Sequence, residues 1–296
     1  MGKKIAWGIG LLLLAGLGWY LFLKPYDYLI TFKTRAIPGT INQTLKKWNA
    51  TISESTFLGQ ESLTDFTYEQ NHNDSLVTYR WHIDRMKDSL SKVKVYVTEP
   101  QNSFYNKLVV PFTKNTFVRR SEETILEAMN ILADHLEAFK VAIVGEAERP
   151  AAFCVCIALQ GSQQSKAGGM MRNYSYLTGV VAQNKLVPKG HPFVEITDWQ
   201  MEKDSISYNF CNPIIEKDSL PPLQELFYKK IPARKAVKAL YNGNYITSDR
   251  AWYHLLEYAE KKGITLERKP FEIFNNNPNM GDPELTWEAE VYMPVK

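Results

Sequence analysis

Ile5 to Leu23 is a run of 19 residues without a charge, IAWGIGLLLLAGLGWYLFL. As a helix rising 1.5 Å per residue it reaches about 28 Å, close to the thickness of a bilayer's hydrocarbon core. Trp19 and Tyr20 lie towards its outer end, where an interfacial belt places aromatic rings. The run closes in Tyr-Leu-Phe-Leu-Lys-Pro instead of a small-x-small cleavage site, and no cysteine follows it. The pattern therefore predicts an uncleaved transmembrane anchor over residues 1–24, not a signal peptide or a lipoprotein.

Beyond the anchor the periodicity changes. Tyr28 to Arg35 alternates as a strand, and Pro38-Gly39-Thr40 opens a short helix with Ile41, Leu45 and Trp48 at helical spacing. Residues 64–70, 75–84 and 91–98 alternate; in the middle segment Val77, Tyr79, Trp81 and Ile83 form one apolar face. Leu108 to Phe112 reads as a further short strand. Residues 122–139 carry Ile125, Met129, Leu132, Leu136 and Phe139 as the apolar stripe of a long helix. Residues 25–140 thus read as an antiparallel α+β domain closed by a C-terminal helix.

Residues 141–296 contain a duplication, with copies over about 150–215 and 232–296. Each copy reads as strand–helix–strand–strand. The strands Ala151–Leu159 and Arg234–Tyr241 end in Gly161 and Gly243, and helices follow at 169–184 and 248–262. Next come Pro192-Phe-Val-Glu-Ile196 and Pro270-Phe-Glu-Ile-Phe274, then closing strands ending at Pro213 and Pro294. The equivalent pairs Gly161/Gly243, Pro192/Pro270 and Pro213/Pro294 are 82, 78 and 81 residues apart, so the copies stay in step. Two such units predict a pseudo-symmetric pair with a ligand groove between them.

Charge narrows the function classes. Lys+Arg is 35 against Asp+Glu 32; leaving out Lys3, Lys4 and Lys24 of the anchor region makes it 32 against 32. A neutral body without a basic stripe argues against a nucleic-acid partner. The cluster from Lys229-Lys230 to Arg234-Lys235 reads as a solvated loop and strand start. Lys3 and Lys4 against Lys24, Lys33 and Arg35 give only a weak orientation bias. A short N-terminal anchor ahead of a large body leads to the expectation of an inner-membrane protein with its body on the periplasmic side.

The five histidines, His72, His82, His135, His191 and His254, show no ligand spacing. No Gly-x-Ser-x-Gly elbow, His-Glu-x-x-His, phosphate loop or dinucleotide fingerprint occurs, so no metal and no cofactor are expected, and binding is favoured over catalysis with the question of an enzyme left open. Cys154 and Cys156 alternate onto one strand face, too close for an ordinary disulfide. They read as buried small hydrophobes, with one bridge to Cys211 left open for an oxidising compartment.

The second copy carries a resemblance. Leu240-Tyr-Asn-Gly-Asn-Tyr245, the Trp252, Leu255 and Tyr258 helix pattern, Phe271-Glu-Ile-Phe274 with Asn277-Pro278, and Glu290 through Val295 together resemble the GyrI-like, or transcription-activator effector-binding, family. The order and spacing carry the likeness; Phe274 and Asn277 depart from the family's tyrosine and aspartate, and the first copy's loop Gly161–Gly169 is degenerate. The resemblance implies a small-molecule-binding domain with a carboxylate from the last strand at the floor of an aromatic-lined pocket. In that strand Trp287, Ala289, Val291 and Met293 alternate as core against Thr286, Glu288, Glu290 and Tyr292. Glu290 is accordingly the expected pocket carboxylate, with Glu288 as second choice. Tyr241, Tyr245, Trp252, Phe274 and Tyr292, joined by Tyr208 and Trp199 of the first copy, are the expected walls. Asn209 aligns with Glu290, so the site should be asymmetric.

Residues 25–140 more faintly resemble START/polyketide-cyclase-like helix-grip domains, which implies a cavity beneath the closing helix. The expectation is a membrane-anchored binder of a lipophilic or cationic small molecule. Its alternatives are a scaffold with a vestigial pocket and a hydrolase using Glu290 to activate water. Neither resemblance names a protein partner.

Overall fold

The structure, a computed structural model, describes residues 2–72, 75–87 and 89–296. The chain divides into two compact units at Ala133/Asp134.

In the N-terminal unit, helix α1 (Gly2–Gly18) passes into one π-helical turn, Trp19–Leu23. Together they give one helix, Lys4–Leu23, long and apolar enough to cross a membrane, none of which is buried within the protein. The body follows as β1 (Tyr28–Thr34), α2 (Pro38–Asn49), β2 (Ser55–Gln60), β3 (Asp65–His72), β4 (Ser75–Arg85), β5 (Ser91–Thr98), α3 (Ser103–Val109) and α4 (Thr116–Glu137). The sheet order is β1-β5-β4-β3-β2, all antiparallel. Asn115 Oδ1 accepts from the Val118 N–H at 2.9 Å and starts α4 at Thr116, six residues ahead of the expected position. Residues 108–112, expected as a strand, instead end helix α3 and its following turn. Phe112 is 85% exposed, so an alternating strand there would have had no face to bury.

The apolar face of β4 is fully used: Val77, Tyr79, Trp81 and Ile83 are buried with Phe66 and Tyr68 of β3 and with Ile41, Leu45 and Trp48 of α2. Phe66 stacks on Trp81 at 5.9 Å. The START-like expectation gains no support.

The C-terminal unit contains β6 (Phe139–Arg149), β7 (Ala152–Gly161), α5 (Ser165–Gln183), β8 (Phe193–Gln200) and β9 (Ser205–Pro213). It continues with β10 (Phe227–Ile231), β11 (Arg234–Gly243), α6 (Arg250–Lys262), β12 (Phe271–Phe274) and β13 (Glu288–Pro294). The order β10-β7-β9-β8-β12-β13-β11-β6 places each copy as first, third, second strand, joined at β8–β12 through Glu195↔Phe271 and Phe193↔Ile273. Strands β6 and β10 were not anticipated. Each leads its own copy yet pairs with the first strand of the other, β6 with β11 and β10 with β7. The two crossings are matching two-residue steps, Pro150-Ala151 and Pro232-Ala233. Proline cannot donate to the ladder, so each is a natural point for a strand to change direction. Gly243 (φ +149°) ends β11 where a Cβ would sit 2.9 Å from Phe139 Cβ, an approach only glycine allows.

Candidate functional site

Register divides the side chains of the C-terminal sheet between two faces. Across β12, β13 and β11, Ile273 lies opposite Glu290 and Glu290 opposite Leu240; Phe271 lies opposite Tyr292 and Tyr292 opposite Lys238. These share the strand face with Glu195, Asn209, Cys211, Cys156 and Cys154 of the first copy. The alternate positions, Glu272, Phe274, Ala289, Val291 and Tyr241, face the helices.

The strand face is closed along its midline. Phe193 and Phe271, equivalent residues of the two copies, stack at 4.6 Å and are buried with Tyr292 and the three cysteines. Cys156 and Cys211, directly opposite in the β7–β9 pair, form a disulfide, leaving Cys154 as a free, buried thiol. Burial pushes the Cys154 thiol up to about 12.

Two lysine–carboxylate pairs flank this midline. In the second copy Lys238 Nζ lies 3.0 Å from Glu290 Oε2, and Tyr292 OH donates to the same oxygen at 2.5 Å. Burial pushes the Glu290 carboxyl up, but the Tyr292 hydrogen bond and Lys238 outweigh it and hold the group below the usual carboxylate range. In the first copy Glu195 accepts from Lys229 at 2.5 Å and from Asn209 at 2.8 Å. Asn209, at the position equivalent to Glu290, thus serves a carboxylate on the neighbouring strand. Beside Glu195 a cavity of about 190 Å³ is lined by Arg149, Lys229, Arg234, Lys269, Glu195 and Glu267, among others. Arg234 starts β11 as expected and pairs with Glu267, whereas Lys229, expected in a solvated loop, lies in β10 and pairs with Glu195.

Residues 155–296 match the family described as GyrI-like small molecule binding domain. This segment is a GyrI-like domain. Similar solved structures include the EcmrR C-terminal domain, at 18% identity over 53% of this chain and 98% of that one, with a TM-score of 0.44. The EcmrR–DNA complex aligns at 16% identity over 68% and 86%, TM-score 0.45. SAV2435 bound to tetraphenylphosphonium aligns at 15% over 53% and 93%, TM-score 0.36. No curated protein matches the chain.

Within the GyrI-like domain the nine expected site residues separate. Glu288, Glu290 and Tyr292 lie on the strand face; none of the three is among the residues lining the 190 Å³ cavity. Tyr245 packs on Phe274 at 4.7 Å and donates to Glu288 O at 2.8 Å, so this turn tyrosine is core and not an open wall. Tyr241, Trp252, Tyr208 and Trp199 are buried on the helix side. Tyr241 OH donates to Asn244 O at 2.9 Å, and Tyr208 OH to Lys166 O at 3.3 Å. Trp199 packs edge-on against Trp252 at 5.0 Å. The helices bury the larger aromatic surface, which leaves the strand face to the charged pairs.

The degenerate loop of the first copy has a structural task on the helix side. Lys166 pairs with Glu272 of the second copy and donates to Ser248 Oγ at 2.8 Å, both members of the pair being fully buried. Trp252 Nε1 donates to the other Glu272 oxygen at 2.6 Å, and the Lys166 ammonium lies 4.7 Å over the Trp252 ring. Gln163 Nε2 donates to Asp249 at 2.7 Å, while its Oε1 accepts from Trp199 at 2.8 Å. Because Lys166 and both Glu272 oxygens find partners, this buried pair is tolerable at zero exposure, while Asp249 Oδ1 finds no donor among the described residues.

Proposed function

We propose that the GyrI-like domain binds a small molecule on its strand face, and that helix α1 holds the protein in a membrane with its body outside the cytoplasm. The family match supports the first part, and the observation that carries it is a cavity beside the midline lined by half-buried charged groups. At about 190 Å³ it lies below the roughly 300–1,000 Å³ of drug-sized pockets, so the ligand, or the part of it enclosed, is small. An apolar helix with no buried surface supports the anchor, and the Cys156–Cys211 bridge suits an oxidising compartment.

Glu290 enters this reading as half of an ion pair. A lipophilic cation would have to displace Lys238 to reach it, which removes the main physical reason for a cationic preference. The packed Phe193–Phe271 midline favours a second reading, an interaction module without a ligand. Thermal unfolding of the full chain in neutral detergent, against anionic, neutral and cationic aromatic compounds, separates the two. Binding to the native state raises the midpoint by mass action. A rise in any one class supports the ligand reading, and silence in all three supports the interaction module.

A further inference from the structure

The charges around the cavity are unequal, and one of them is unusually placed. Four cations, Arg149, Lys229, Arg234 and Lys269, line it against two carboxylates, Glu195 and Glu267. Glu195 is already engaged by Lys229 and Glu267 by Arg234, at 2.5 Å and 2.8 Å. Arg149 and Lys269 are left over. Neither makes an ion pair among the described residues.

Arg149 is the stronger pointer. It ends β6 at the crossing of the two copies and is 94% buried, at 6% relative exposure. The only hydrogen bond of its side chain among the described residues runs from Nη2 to the Pro232 carbonyl at 2.5 Å. Its guanidinium lies 4.9 Å over the Phe271 ring, and its Nε is buried with no acceptor. Burial pushes the guanidinium's pKa down, and Arg234 pushes the same way against the pull of Glu195. A buried guanidinium facing excess positive charge is unfavourable by itself. An oxyanion would accept from its unused Nη donors and offset the local charge. Lys269, which is exposed, adds a further ammonium to the same cleft.

We infer that this cleft takes the oxyanion end, a carboxylate or a phosphate, of a small organic molecule, with Arg149 as the buried anchor and Lys269 and Lys229 as flanking cations. The inference rests on the small-molecule reading above and gives that ligand a charge opposite to the one the sequence suggested. Ile196 and Pro294 in the same lining suit a small apolar remainder next to the anionic group.

The test is a calorimetric titration of the full chain in neutral detergent with benzoate, phenyl phosphate, benzyl alcohol and benzyltrimethylammonium, at low and high salt. At least one of the two anions should bind, more weakly at high salt, and the stronger one identifies the preferred oxyanion. Lys269→Gln should weaken that binding about tenfold, and Arg149→Gln should abolish it. Lys269 is exposed, so its variant tests the site even if the Arg149 variant fails to fold. Binding of the neutral or cationic probe without either anion overturns the anionic assignment and leaves the ligand reading standing. Anion binding undiminished in both variants, each with an unchanged unfolding midpoint, places the anion elsewhere and also overturns it. No binding by any of the four removes both readings together.

Discussion

Lys238 Nζ sits 3.0 Å from Glu290 Oε2, one strand away on the same sheet face, and so closes off the carboxylate that the sequence marks out as the ligand's floor. Removing the lysine should reopen it. In Lys238→Met the Glu290 carboxyl loses its cation, its pKa rises, and benzyltrimethylammonium should bind where the parent protein binds it weakly or not at all. Titration of both proteins with that compound decides the matter; equal binding would mean that Lys238 does not control access. The pair itself is partly exposed and is worth about 1 kcal/mol. Because the folded-state pKa of Glu290 is depressed, that stability is present above the unfolded carboxyl's value and is lost as pH falls through the folded one.

On the helix face Lys166 and Glu272 are both fully buried and join the two copies. Either Lys166→Met or Glu272→Gln alone strands a polar partner and should destabilise the protein by about 3–5 kcal/mol. The double variant Lys166→Met/Glu272→Leu should recover much of that loss, since the penalty comes from the unpaired group. Urea unfolding of the three variants checks this; additive losses in the double variant would contradict it.

Reducing the Cys156–Cys211 bridge, which closes a separation of 55 residues, should cost about 2–4 kcal/mol. Cys154 beside it should resist alkylation at mildly alkaline pH in the native protein, because burial holds its thiol up near 12. Mass spectrometry after iodoacetamide treatment, with and without denaturant, reads this directly. Rapid modification of native Cys154 would show that the midline opens.

His82 bridges Asp65 at 2.6 Å and Asp84 at 3.0 Å in the N-terminal unit. The Asp65 hydrogen bond, aided by Asp84, raises its pKa above the ordinary histidine value. The stabilisation is therefore complete below about pH 6.5, the unfolded value, and is lost as pH rises through the folded one. His82→Gln should cost about 1 kcal/mol or less at acid pH, the site being partly exposed, and nothing in alkali. An equal loss at both pH values would assign the effect to packing.

Much of this fold was legible because apolar alternation and equivalent glycines and prolines survive duplication. The strands and both helices of the two copies and the split of β13 into a core face and a Glu290 face follow from periodicity, whereas β2 was not anticipated. Strands β6 and β10 escaped because each precedes the strand–helix–strand–strand pattern of its own copy and pairs with the first strand of the other. The site was harder to read for a related reason. Glu195 and Glu272 look alike in the two Pro-Phe segments, yet they stand one position apart in the repeat and so point to opposite faces. Lys229 and Arg234 looked solvated because their partners, Glu195 and Glu267, lie more than thirty residues away in sequence. The aromatic side chains expected as walls are buried, most of them on the helix side, and a sequence does not assign a ring to a ligand or a helix until the helices are placed.

The central claim is that a small molecule occupies the cleft beside Glu195. Thr197 lines that cleft from an exposed position, so Thr197→Trp should fill it without disturbing the core. The direct measurement is the ligand-induced rise in unfolding midpoint, compared between the parent protein and this variant, for whichever aromatic probe shifts the parent most. The account predicts a clear rise in the parent and none in the variant, with equal midpoints for both proteins in the absence of probe. A rise of the same size in both would contradict it.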